Sequence, residues 1–204
     1  MAEKRPPNPS RARAASKRRE PLSRERIIAA TIEIMDREGF NGFTMRKLGS
    51  ALGVEAMSVY EYFKSKEELL LAVRGHFYSQ LHVEVPPGTP WYEELRTVMM
   101  TSYRMGVDHP SFVAVHLHVV SVPESRRRGT RDMELLQGAG FSKDEAAGAM
   151  LALVSYVTGF QFRMVLTTPA ANPLSHKSRD DAFQMGLDAI LAGLRAHARS
   201  RQAE

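Results

Sequence analysis

The amino-acid sequence predicts an all-α protein of about nine helices. Apolar residues recur at spacings of three and four, the period of an amphipathic helix. Helix-start residues, namely Ser, Thr and Pro, precede most of these runs. No clear strand alternation and no repeat at a fixed period interrupts the pattern. With 204 residues, the chain suits one domain or one domain with a small added module.

The composition excludes several classes of protein. The chain has no Cys, which excludes a disulfide scaffold, a thiolate zinc site and a catalytic thiol. Its longest apolar stretch, residues 149–160, is shorter than the roughly 20 residues that a membrane-spanning helix needs. The N-terminus has charges and prolines but no apolar signal-peptide core. We therefore expect a cytoplasmic protein without a membrane association.

Residues 1–21 form a basic arm. They contain seven Lys and Arg residues against two Glu residues, and so carry the whole formal excess of +5. Four prolines and almost no large apolar side chain predict that this arm is disordered. A flexible basic arm beside a folded module is a common nucleic-acid footprint. A solubilising tail is the alternative, because basic tails have several uses.

The first three helices are read from their start and stop residues. Ser23 suits the N-cap of a first helix that ends at Gly39. Thr44 suits the cap of a second, short helix ending near Gly53. A third short helix is expected over residues 54–63.

A fourth helix and a chain break follow. The run Ser65-Lys66-Glu67-Glu68 is a capping box and predicts a helix reaching about residue 82. Residues 86–90 then contain three Pro and one Gly, which interrupt helical structure. We expect a small N-terminal module over residues 22–75 and a larger C-terminal module over residues 76–204.

The larger module reads as five further helices. Thr89 and Pro90 suggest an N-cap and a first-turn proline for a helix from Trp91 to about Asp108. Further starts are expected at Pro110, at Pro123 and at the capping box Ser142-Lys143-Asp144-Glu145, whose helix runs to about Leu166. After a loop over residues 167–178, a last helix carries an apolar stripe: Phe183, Leu187, Ile190, Leu191 and Leu194.

Residues 44–66 indicate a helix-turn-helix. Two short helices joined by a Gly-containing turn allow the second helix to enter the DNA major groove. Val59 and Phe63 can face the core, which leaves five residues able to point outward: Ala56, Met57, Ser58, Tyr60 and Tyr62. Arg46 and Lys47 lie in the first turn of the preceding helix, and Arg pairs well with guanine. A packed helical hairpin with a tyrosine-rich surface is the alternative.

The same segment resembles the DNA-binding module of the tetracycline-repressor (TetR) family. The resemblance rests on residues 44–55, on Ser58-Val59-Tyr60 and on the run from Lys64 to Leu70, and it covers residues 23–75. It implies an all-α homodimer that binds palindromic double-stranded DNA. By this resemblance Arg46 would read a base. Phosphate contacts would come from Thr44, Tyr60, Tyr62 and Lys66, and the variable base-reading positions would be Ala56, Met57 and Ser58.

The larger module resembles the tetracycline-binding branch of that family. His82 and His116 match positions that contact the drug and its bound magnesium in that branch. Val98, Val119 and Asp132 stand where polar drug contacts are expected. The departures therefore favour an apolar or aromatic small molecule over tetracycline.

The residue types of this module also suit a small-molecule pocket. Met is adaptable, and aromatic rings fill apolar sites. The candidate effector-binding residues are His82, Met99, Tyr103, Phe112, His116, Met133, Tyr156 and Phe160. The alternative for each is a plain core residue. His116 and His118 point to different sides of a helix and form no chelate, so we expect no metal site and no cofactor.

The last two long helices are the expected dimer interface. Small residues that permit close approach are Ala146, Ala147, Gly148, Ala149, Ala152, Ser155 and Gly159. The apolar residues expected to fill a four-helix seam are Leu153, Val157, Leu187, Ile190 and Leu194. Packing of the same residues within one protomer is the alternative.

Taken together, these patterns favour a DNA-binding transcriptional regulator over an enzyme. The sequence has no nucleophile-elbow, phosphate-loop, dinucleotide-binding or His-Glu-x-x-His motif. We expect a repressor that a small, largely apolar effector releases from a palindromic operator. A non-specific DNA-coating protein and a small-molecule carrier or enzyme remain alternatives.

Overall fold

The computed structural model describes residues 21–81, 83–118, 123–166 and 175–202, and these ranges contain helices but no strand. The all-α prediction is confirmed. The nine α-helices of the described ranges are α1 Arg24–Glu38, α2 Met45–Leu52, α3 Ala56–Tyr62, α4 Lys66–Gln80, α5 Trp91–Asp108, α6 Pro110–His118, α7 Pro123–Gly138, α8 Lys143–Leu166 and α9 His176–Gln202. A 3-10 turn, Phe40–Gly42, follows α1. The basic arm, residues 1–20, lies outside the described residues.

The predicted N-caps of four helices are present. The Ser23 and Thr44 side chains each accept a hydrogen bond of 3.2 Å from the backbone N–H three residues on. Ser65 does the same for α4 at 3.1 Å. At α8, Ser142 and Glu145 exchange reciprocal backbone-to-side-chain bonds and form the predicted capping box. Local side-chain chemistry therefore places these helix starts.

The start of α5 differs from its prediction. Pro90 occupies the cap position of α5, without a side-chain cap bond, and Trp91 is the first helical residue. The Thr89 hydroxyl instead donates 2.7 Å backward to the carbonyl of Pro86. Thr89 therefore does not cap α5, because its hydroxyl bonds within the turn at residues 86–89 instead.

The helix-turn-helix is held by a close backbone approach. Gly53 ends α2 in the left-handed region at φ 70°, which turns the chain sharply into α3. Gly49 faces this turn so closely that a Cβ there would lie 2.9 Å from the Val54 carbonyl oxygen and 3.0 Å from the Ala56 nitrogen. Val59 and Phe63 are fully buried beneath the turn. The angle between the two helices therefore depends on a missing side chain.

Helix α6 joins the two modules. Its residues Phe112, Val113 and Val115 belong to the same buried cluster as the cores of α1 to α4. The Asp36 carboxylate on α1 bonds both the His109 ring, at 2.8 Å, and the backbone N–H of Ser111, at 2.9 Å. The expected division at residue 75 falls inside the continuous helix α4. The two modules therefore differ in their expected roles, but the buried core of α1 to α4 extends into the larger module through α6.

Three of the apolar residues that the sequence predicts for the dimer seam are buried within their own protomer. Leu153, Val157 and Leu187 are buried in the core of their own protomer, together with Ala146 and Ala149. The half-buried Ile190 and Leu194 pack against the same core. These residues pack within the protomer because α8 and α9 cover α5 and α7.

A neighbouring stripe of the two helices faces outward instead. Leu151 on α8 and Met185 on α9 are 69% and 71% exposed, and Phe162 is 42% exposed. Gly148 and Gly159 have open space beside them. The stripe formed by these residues is called the α8–α9 stripe below.

No helix in the described ranges has both the length and the apolar character that crossing a membrane requires.

The close approach of Gly49 gives a stability prediction. Gly49→Ala should lower the free energy of unfolding by about 1–3 kcal/mol, because the new methyl group meets backbone atoms that have little room to move. Urea denaturation measures the change. Ser50→Ala, at the next and exposed position of α2, is the matched control and should stay within about 0.5 kcal/mol of the parent. Equal stability of the two variants would contradict the close packing of α2 on α3.

Candidate functional site

Met57 and Arg46 are exposed on the outer face of α2 and α3. Met57, in the first turn of α3, is 71% exposed. Arg46 on α2 is exposed and makes no hydrogen bond or ion pair with any described residue. Ser58 and Tyr60 are half-buried beside them. These four predicted residues therefore lie on an accessible surface of the helix-turn-helix.

Lys47 differs from Arg46 although the two are adjacent. Its Nζ donates to Glu38 Oε2 at 2.6 Å and to the Gly42 carbonyl at 2.9 Å. Lys47, with Arg37, holds the pKa of the Glu38 carboxyl below its usual range. The Lys47 ammonium is thus engaged in tying α2 to the end of α1. Its side chain is half exposed, so a phosphate contact would have to share or replace this ion pair.

Three further predicted contact residues are occupied in bracing the module. The Tyr62 hydroxyl donates 2.8 Å to the Leu22 carbonyl, which directs it away from the outer face. Lys66 Nζ donates to the Phe43 carbonyl at 3.4 Å and lies over the rings of Phe40 and Phe43. The Thr44 hydroxyl oxygen accepts the hydrogen bond that caps α2.

Ala56 occupies the tightest point of the turn. Its backbone lies against Gly49, and its side chain is half-buried. Of the predicted outward set of α3, only Met57 is exposed, and the other four residues are half-buried. Tyr60 and Tyr62 both pack against the core, and Tyr62 is held in addition by its bond to Leu22.

A second feature is a cavity of about 140 Å³ between α4, α5, α6, α7 and α8. Its walls are mostly apolar. The lining residues are Tyr78, Leu81, Val98, Met99, Ser102, Phe112, His116, Asp132, Met150, Val154, Val157, Thr158 and Gln161. Since Phe112 also belongs to the core shared with α1 to α4, the cavity touches the joint between the modules.

The end of the cavity near α4 and α6 is polar. The Tyr78 hydroxyl and His116 Nδ1 are 2.9 Å apart, and their rings stack. Burial, and to a smaller extent the nearby Arg74 guanidinium, lower the pKa of His116 below its usual value of 6.5. His116 is therefore neutral at neutral pH, with one ring nitrogen as donor and the other as acceptor.

The structure brings together three of the eight predicted effector residues. Met99, Phe112 and His116 line the cavity. Met133 lines an open groove on the outer side of α7 and α8, which shares Met150 and Val154 with the cavity. His82 lies outside the described residues.

Tyr103, Tyr156 and Phe160, also predicted as effector contacts, lie outside the lining of this cavity. Tyr103 stacks on Phe183 at 3.9 Å, and its hydroxyl donates to Asp180 at 2.7 Å. Tyr156 and Phe160 pack on the same Phe183 ring, each at 5.3 Å. Aromatic side chains here prefer ring–ring contact with α9, so the three residues hold that helix in place.

Sequence reasoning missed most of the polar lining. Ser102 and Gln161 come from two different helices, and their spacing in the chain carries no signal. Asp132 lies at a position where the family resemblance expects a polar drug contact. The sequence contains only a weak indication that Tyr78 lines the cavity, namely its place near the end of the helix that links the modules. Gln161 is buried, and its amide donates 2.6 Å to the Ser102 carbonyl, so it also fastens α8 to α5.

Among the described residues, no group of three or more His, Asp or Glu side chains is arranged to hold a metal ion.

Two family profiles match the chain. The profile described as "Bacterial regulatory proteins, tetR family" matches residues 27–73. The profile described as "Tetracyclin repressor-like, C-terminal domain" matches residues 85–166. The two matched segments together cover more than half of the chain and contain both the helix-turn-helix and most of the cavity wall.

Individual proteins show the same similarity. An HTH-type transcriptional regulator of Saccharopolyspora erythraea is 27% identical over 139 residues, or 68% of this chain, and the match spans 59% of that regulator's length. The class C tetracycline repressor protein of Escherichia coli is 25% identical over 85% of this chain and 90% of its own. The structure of ActR from Streptomyces coelicolor in complex with actinorhodin superposes with a TM-score of 0.71 at 25% identity, covering 88% of this chain and 99% of ActR.

The lowered pKa of His116 gives a prediction about pH. The unfolded chain takes up a proton near pH 6.5, whereas the folded protein resists it, so stability should fall as the pH drops below about 6.5. Urea unfolding at about pH 7.5 and about pH 5.5 measures the loss. His116→Gln should remove part of it. His118→Gln, at an exposed position of the same helix, is the control and should retain it. An equal pH effect in both variants would contradict this origin.

Proposed function

We propose that this chain, which belongs to the tetR family of bacterial regulatory proteins, is a homodimeric repressor released from a palindromic operator by a small effector. The observation that carries the proposal is the exposed α2–α3 face. Met57 and Arg46 have no packing role there that would account for them. The protein would act in the cytoplasm, where bacterial DNA lies. It requires no catalysis, metal or cofactor.

The exposed residues suit base reading in the major groove. The Arg46 guanidinium has the geometry to pair with guanine O6 and N7, and Met57 offers an apolar contact for a thymine methyl group. Ser58 and Tyr60 flank these two and can hydrogen-bond bases or phosphates. Thr44, Lys47 and Lys66 lie beside this face, where they can add phosphate contacts while bracing the module. Ala56 and Tyr62 would act by shaping the turn.

The cavity is suited to transmit effector binding to this face. Phe112 and His116 line the cavity on α6, and Tyr78 lines it on α4. The same α6 is bonded to α1 through Asp36 and His109. An effector that changes the packing of α6 or α4 would therefore shift the helix-turn-helix. Such coupling is typically worth about 1–3 kcal/mol.

The α8–α9 stripe is the surface we assign to the dimer. Large exposed side chains next to glycines allow helices of two copies to approach closely. Two copies related by a two-fold axis would place their α3 helices about 34–36 Å apart, or a multiple of it, on successive major grooves. A palindromic operator follows from that symmetry.

Selection of random duplex DNA by the purified protein, followed by sequencing, tests the proposal. An enriched inverted repeat is expected. Salt-sensitive binding without any enriched sequence would favour a non-specific DNA-coating protein. Absence of DNA binding would favour a small-molecule carrier or enzyme.

The role of Tyr60 can be separated from that of Tyr62. Tyr60→Ala should weaken binding to the selected operator at least about tenfold, with an unchanged helical circular-dichroism spectrum. Tyr62→Phe loses only the bond to Leu22 and is the matched control. It should cost about 1 kcal/mol of stability but little operator affinity. Unchanged binding by the Tyr60 variant would overturn the assignment of α3.

The dimer surface has its own test. Leu151→Arg should raise the dimer dissociation constant at least about tenfold, because it places a charge in a contact that excludes water. Analytical ultracentrifugation measures the constant. Leu117→Arg changes an apolar residue of α6 that is 48% exposed and lies off the α8–α9 stripe, so it should leave the dimer intact. A dimer unaffected by the Leu151 change would contradict the assigned surface.

A further inference from the structure

Arg74 is a buried cation without an anionic partner among the described residues. It lies on α4, and only 7% of its surface is exposed. Its Nε has no hydrogen-bond partner. Its guanidinium lies over the ring of Tyr78, with 5.4 Å between Cζ and the ring centroid. A cation–π contact of this kind offsets only part of the cost of removing a guanidinium from water.

The charge of Arg74 lies next to the cavity. Tyr78 follows Arg74 by one helical turn and forms part of the cavity wall. His116, the neighbouring wall residue, has its pKa lowered by burial and, to a smaller extent, by the same guanidinium. The α4–α6 end of this mostly apolar cavity is therefore electropositive.

The Tyr78–His116 pair can present a donor to an anion. With the Tyr78 hydroxyl donating to His116 Nδ1, the neutral imidazole carries its proton on Nε2. That N–H is a donor of the kind a carboxylate accepts. Arg74 lies over the Tyr78 ring and would act through its charge, which is little screened where water is excluded.

The remaining wall residues set the size and the orientation of a ligand. The cavity, about 140 Å³, is comparable to an engineered cavity of about 150 Å³ that binds benzene. Met99, Phe112 and Val157 supply apolar walls for one ring. Asp132, the acidic wall residue on α7, would repel an anionic group placed beside it. The Tyr78–His116 pair and the Arg74 charge favour the α4–α6 end for an anion.

We propose that the cavity binds a small aromatic carboxylate, with its ring between α5, α6 and α8 and its carboxylate facing Tyr78 and His116, where Arg74 supplies the counter-charge. The identity of this ligand as the effector rests on the proposed regulatory function. The binding itself does not, since it takes place in the protein without DNA.

Calorimetric titration of the full-length protein with benzoate and with benzamide tests the charge preference. The two probes have nearly the same shape and differ in charge. Benzoate should bind about tenfold more tightly than benzamide, because one ligand carries the anion that the buried guanidinium lacks. Arg74→Met should abolish this preference while keeping weak binding of both probes.

Arg104→Met is the matched control. Arg104 is exposed on α5, so the variant lowers the net charge equally while leaving the cavity unchanged, and it should keep the tenfold preference. Equal binding of benzoate and benzamide to the parent protein would overturn the proposal without any variant. So would an unchanged preference in Arg74→Met, or no benzoate binding at millimolar concentrations.

Operator binding is measured separately on the same preparations. Selective benzoate binding without an enriched operator would leave the ligand class standing and overturn the regulatory function. An enriched operator without benzoate selectivity would do the reverse.

Discussion

Helix α6 is the constraint on which the rest of the structure depends. One side of it completes the core of the helix-turn-helix through Val113 and Val115. Its first turn is bonded to α1 by Asp36. Its other side, through Phe112 and His116, forms a wall of the cavity. A nine-residue helix is thus packed against both functional regions, and it has little room to move for one without disturbing the other.

The side chains of the helix-turn-helix divide into those that brace the module and those that face solvent. Lys47, Tyr62 and Lys66 hold α1, α2 and α4 in fixed relation by hydrogen bonds to backbone carbonyls. Arg46 and Met57 make no such bracing contacts with the described residues, and they face solvent. This division lets the surface residues vary without loss of the fold. It also explains why a basic residue in the sequence is not by itself evidence of a DNA contact.

The cavity and the α8–α9 pair show how much is decided between helices. Tyr103 and Phe160 are aromatic residues of the kind that line pockets, but they pack on Phe183 instead. The polar groups that do line the cavity arrive from separate helices. The apolar stripe of α9 turns inward at Leu187, which leaves Met185 outside. Each outcome reflects competition among several apolar surfaces for a limited buried volume.

By itself, the sequence determined the helical class, the helix boundaries and the helix-turn-helix. These features depend on interactions between residues close in the chain, such as the Ser23, Thr44 and Ser142 caps and the turn at Gly53. Only the tertiary structure decided which side chains brace, which line the cavity and which face solvent. Those outcomes depend on contacts between distant residues, such as Tyr62 with Leu22 and Tyr78 with His116, and no local pattern specifies them.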